Sequence, residues 1–112
     1  MIDERNRFDI VIHAGADFVL TLTMRDADGT LMDLTGYTGS AQLREFPESL
    51  DHFNFSVTHN DDGGKILVKM HHSITERIGY TYGTYDVLLT DANGLKERIM
   101  YGDAQIIPAV TR

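Results

Sequence analysis

The sequence predicts an all-β protein: a single antiparallel β-sandwich, immunoglobulin-like or small barrel-like, with about eight strands and one short helical turn near 73–78. Three observations predict it. Apolar residues recur with period two in run after run, turn residues separate the runs, and only one segment carries a helical signature. In Asp17-FVLTLTM-Arg25, Phe18, Leu20, Leu22 and Met24 share one face, while Val19, Thr21 and Thr23 share the other. HFNFSVT turns Phe53, Phe55 and Val57 inward, KILVKM turns Ile66, Val68 and Met70 inward, and TYDVLLT does the same with Tyr85, Val87 and Leu89. Shorter runs are FDIVI, SAQLR, KERIMY and AQIIPAV. The helical segment is His72-Ser-Ile-Thr-Glu-Arg-Ile-Gly79, where Ser73 precedes Glu76 at capping-box spacing and Gly79 supplies a stop. Pro47 opens a loop in which alternation lapses, and Pro108 suits an edge strand because proline donates no ladder hydrogen bond.

Size and composition bound the function. A chain of 112 residues favours one domain, 1–112, with enough buried surface for one core. There is no cysteine, which excludes disulfides and thiolate metal sites. The start, MIDERNRFDIVIHAG, lacks the apolar segment of a signal peptide, and no apolar run approaches the roughly 20 residues of a membrane helix. A net charge of −7 without any Lys/Arg cluster opposes a phosphate backbone, so neither nucleic acid nor membrane is expected as a partner.

Two loops resemble calcium loops at first sight, RDADGT from Arg25 and TDANGL from Thr90. With Gly29 at the sixth position of a helix-loop-helix site, the first and twelfth positions fall on Met24 and Thr35, neither of them a carboxylate. The second loop puts Leu89 and Met100 there. Both loops join apolar runs, and an aspartate that accepts from backbone amides followed by a glycine at positive φ is a hairpin turn. Asn60-Asp-Asp-Gly-Gly64 reads the same way.

Catalytic chemistry finds little support. Serines at 40, 49, 56 and 73 lie in no nucleophile elbow, and Gly63-Gly64 lacks the lysine and helix of a phosphate loop. The five histidines, at 13, 52, 59, 71 and 72, show no HExxH spacing. His71 and His72, read as strand neighbours, point to opposite faces and do not chelate one ion. The expectation is therefore no catalytic residue, no metal and no cofactor. Tyr80 and Tyr82 in YTYGTY offer an aromatic face for a sugar or a protein, against the plainer reading that they flank a strand entry.

Several landmarks occur in a telling order: Gly15-Ala-Asp-Phe18, a strand ending in Asp-x-Asp-Gly, MDLTGYT leading into AQLR, then GTYDVLL, Asp-x-Asn-Gly and the terminal IPAVTR. Nearly the whole chain resembles a family of small β-sandwich virion proteins of tailed bacteriophages and prophages. The DLTGYT segment also resembles the N-terminal, particle-anchoring domain of phage upper-baseplate proteins. FPESLDHFNF is more aromatic than the family pattern. The resemblance implies a non-enzymatic structural component of the virion, assembled in the host cytoplasm. It would be an assembly module of the tail, baseplate or fibre-attachment region, contacting other virion proteins as a symmetric homo-oligomer or in repeated copies. A capsid decoration protein and a glycan- or receptor-binding module are the alternatives. Contact residues would lie at Pro108, Val110, Thr111 and Arg112 for assembly, and at Tyr80 and Tyr82 for a ligand.

Overall fold

A computed structural model describes residues 6–60 and 63–111. It contains β1 (Ile10–His13), β2 (Phe18–Thr23), β3 (Thr38–Arg44), β4 (Phe53–Asn60), β5 (Lys65–Met70), α1 (His72–Thr75), β6 (Tyr82–Thr90) and β7 (Lys96–Ile107). The all-β sandwich expected from the sequence is present. The strand order is β1-β7-β6-β3-β4-β5-β2. β4 belongs to both halves: Phe53–Phe55 pair with β3, and Ser56–Asn60 pair with β5. Where β4 leaves β3, Gly39 of β3 gives it room, since a Cβ there would collide with Val57.

Alternation sets which side chains meet between the halves. Ile12, Leu43, Val87 and Ala104 from one half and Ile66, Val68 and Met70 from the other form one buried core. Phe55 bridges the halves, with its ring 5.7 Å from Phe18 and 6.4 Å from Tyr85. Each buried Leu, Ile or Val of this kind contributes about 1.5–3 kcal/mol by leaving water.

The structure departs from expectation in four places. Seven strands are present among the described residues, because KERIMY and AQIIPAV form one strand. A bulge sits where Val87 pairs with Met100 but Leu88 pairs with Arg98, so the extra residue Ile99 shifts the phase of alternation. Gly102 is a site of close approach to Phe8, not a turn. The sheet is not wholly antiparallel, since β1 runs parallel to β7 from Ile10↔Ala104 to His13↔Ile107. Pro108 lies just past the end of β7, and β7 is an inner strand flanked by β1 and β6, so the edges are β1 and β2. Finally, Ser73 does not cap the helix. His71, extended at φ −67° and ψ 149°, is the N-cap, its side chain accepts from Ser73 N, and Glu76 is the C-cap.

The loops turn the chain as expected. Gly29 N donates to Asp26 O at 2.9 Å and Gly94 N to Asp91 O at 3.0 Å, with both glycines at positive φ. Asp28 is taken up by Thr30, whose hydroxyl donates to it at 2.7 Å. In DLTGYT, Asp33 Oδ1 accepts from the Thr35 amide at 3.0 Å and Gly36 turns at φ 82°, while Leu34 is fully buried. Asp61 and Asp62 of the third turn lie outside the described residues.

Candidate interaction site

The end of the sandwich where β7 finishes is built from three segments. Ile106 N donates to Thr81 O at 2.8 Å, and Ala14 N donates to Ile107 O at 2.9 Å. These bonds bring the β1–β2 loop, the segment before β6 and the residues after β7 to one place. Between them lies an open groove of about 650 Å³, walled by Gly15, Glu76, Tyr80, Thr81, Pro108 and Thr111 among others.

The sequence candidates divide here. Tyr80, Pro108 and Thr111 share the groove. Val110, 95 % exposed, projects beyond it, and Arg112 lies outside the described residues. Tyr80 and Tyr82 do not form a joint aromatic face. Tyr80 precedes β6 and leans on Phe53, ring centroids 6.5 Å apart, whereas Tyr82 is 64 % exposed on β6. Residues two apart share a face only within one strand. Tyr82 is registered with Gln105, which is in turn registered with Val11. That outer row, with Val11 and Ile107 also exposed, is the apolar part of the β1-β7-β6 face.

Tyr80 separates the groove from a second hollow that it lines with Glu45, Ser49, His52 and Phe53. Its hydroxyl is buried without a hydrogen-bond partner among the described residues. Burial, and then the Glu45 carboxylate, raise its pKa above the ordinary phenol value. An unpaired buried hydroxyl costs about 1–3 kcal/mol. Among the described residues that wall the groove, the titratable side chains are Glu76 and Tyr80.

A second cluster lies at the start of α1. Asp17, from the β1–β2 loop, accepts from His72 N at 2.7 Å and bonds His72 Nδ1 at 3.0 Å. These bonds, backbone first, lower the Asp17 pKa. His71 and His72 do not face apart: β5 ends at Met70, the chain turns into α1, and the two rings meet tilted by 35° with centroids 3.9 Å apart. One ligand atom from each of Asp17, His71 and His72 lies within 4.8 Å of the other two, and all three residues are exposed. The sequence signal that locates this cluster is the change from period two to a helical start after Met70, which removes the opposite-faces argument.

The architecture defines the class: a two-layer, all-β sandwich with one strand shared between the layers. No family model and no curated protein matches the chain. Among solved structures it is similar to the extracellular domain of the voltage-gated sodium channel beta4 subunit, described as a parallel homodimer with a role in cell–cell adhesion. That similarity covers 98 % of each chain at 11 % identity, with a TM-score of 0.49.

Proposed function

We propose that the chain is a non-enzymatic structural protein of a tailed-bacteriophage virion, an assembly module of the tail, baseplate or fibre-attachment region. It is present in repeated copies and docks to other virion proteins. The sequence resemblance supplies the virion context. The observation that carries docking is the groove end, where the exposed segment after β7 meets Tyr80 and Thr81. This end presents apolar surface and backbone to a partner. Tyr80 rests against Phe53 while Tyr82 is exposed on β6, which supports docking over a glycan site built on the two tyrosines.

Deleting residues 108–112 tests the docking surface. The last ladder pair is His13↔Ile107, so the deletion leaves every strand complete. The expected result is a folded domain, by circular dichroism and thermal unfolding, that no longer enters particles. Incorporation at the normal level would refute the groove end as the docking surface. Copy number in purified virions, by quantitative mass spectrometry, tests the location. A small multiple set by tail symmetry is expected. A ratio near that of the major capsid protein would mean head decoration, and absence from particles would end the virion reading.

A further inference from the structure

We propose that Asp17, His71 and His72 form a binding site for a divalent transition-metal ion of the zinc class, with one coordination position left open. This does not depend on the virion reading.

The donor set is the first argument. Two imidazoles and one carboxylate form a borderline-soft nitrogen and oxygen set that suits zinc, and three protein ligands leave a fourth tetrahedral position free. Spacing is the second. Ligands at about 2.0–2.1 Å from a tetrahedral ion lie roughly 3.3 Å from each other. Asp17 Oδ1 and His72 Nδ1 are already 3.0 Å apart, so an ion entering there replaces the proton they share. The atom offered by His71 lies within 4.8 Å of the other two.

Preorganisation is the third argument. Asp17 is fixed by the His72 amide at 2.7 Å. Its loop is tied to α1 one turn later: Thr75 Oγ1 donates to Ala16 O at 2.9 Å and accepts from Gly15 N at 3.0 Å. The His71 ring is oriented by Ser73, with Nδ1 at 2.8 Å from the hydroxyl. An ion at Nε2 requires the tautomer with Nδ1–H, which donates to the Ser73 hydroxyl in place of accepting from the Ser73 amide, an arrangement common among metal-bound histidines. Among the described residues, the two adjoining imidazoles at this helix start have no partner beyond these local bonds. A cation between them and Asp17 neutralises the carboxylate and joins two segments more than fifty residues apart in sequence.

The test is calorimetric titration of the full chain with Zn²⁺ alone, alongside the visible absorption of Co²⁺ in the same site. One ion per chain is expected. His71→Asn keeps an acceptor at the N-cap but removes the imidazole, His72→Gln removes the second nitrogen, and Asp17→Asn keeps the bond to the His72 amide but removes the charge. Each is expected to weaken binding by about tenfold or more, the scale seen when metal-site partners are lost. His52→Gln, a histidine outside the cluster, should bind as the parent does. Thermal unfolding in the absence of metal shows whether each variant is folded, and Zn²⁺ should raise the unfolding temperature of the parent and of His52→Gln alone. Binding that is absent from the parent, or that stays within twofold in all three site variants, would overturn the site and leave an adventitious ion only.

Discussion

Replacing Gly102 by alanine should destabilise the fold, although alanine is the better residue for most strands. A Cβ at 102 would sit 2.8 Å from the Phe8 carbonyl carbon, closer still to its oxygen, and 2.9 Å from Asp9 Oδ1. That backbone has little freedom to retreat. Phe8 N donates to Tyr101 O at 2.8 Å, Tyr85 OH donates to Phe8 O, and Asp103 N donates to Asp9 Oδ1 at 2.9 Å. Displacing residues 8 and 9 stretches three hydrogen bonds, each worth about 1 kcal/mol. Alanine returns about 0.4–1 kcal/mol by restricting the unfolded chain. The net loss is about 2 kcal/mol, or a fall in the urea midpoint of roughly 1–2 M at a slope of about 1–2 kcal/mol per molar. Urea unfolding followed by circular dichroism reads this directly. Gly94→Ala is the companion variant, because Gly94 has φ 87° but open space, so it should lose only the roughly 1 kcal/mol of left-handed strain. A Gly102→Ala midpoint equal to or above that of the parent would refute the close-approach argument.

Thr75→Val keeps the shape of a fully buried side chain but removes the hydroxyl that serves Gly15 N and Ala16 O. A loss of about 1–2 kcal/mol is expected, with faster hydrogen exchange at the Gly15 amide as the local signature. Tyr85 has its pKa raised above 10.0, first by burial and then by Asp9. The folded state holds this proton more tightly than the unfolded state, so its contribution to stability is complete below about pH 10 and is lost as pH rises beyond it. Unfolding free energies at pH 8 and near pH 11 should therefore differ less for Tyr85→Phe than for the parent.

Much of the fold is legible in the alternation. Phe55, Val68, Val87 and Leu89 face the core where the period of two places them, because a slip of one residue would expose the whole set. The aspartate–glycine loops are legible for a local reason too, since their turn chemistry lies within five residues. What was hidden depends on distant partners. The single long β7 reads as two strands because Ile99 breaks the phase and Gly102 mimics a turn, and only the position of Phe8 explains that glycine. The parallel pairing of β1 has no local signature in FDIVI. At the helix, Ser73 and Glu76 have the right spacing for a cap, but His71 and the remote Asp17 take up the first amides. Tyr80 and Tyr82 straddle the start of β6, and His71 and His72 both lie past the end of β5, so strand alternation governs neither pair.

The parallel pairing of β1 with β7 also sets how the sandwich would carry a pull. Arg7 lies beside Tyr101 and His13 beside Ile107, so the segment before β1 and the segment after β7 leave from opposite ends of the same ladder. Tension between those two segments runs along the strands and crosswise to the hydrogen bonds. The rungs from Arg7 to His13 are then loaded together in shear, where a hairpin pulled at its open end would unzip rung by rung. The ladder that local sequence conceals is thus the brace of the molecule along the line joining its two ends.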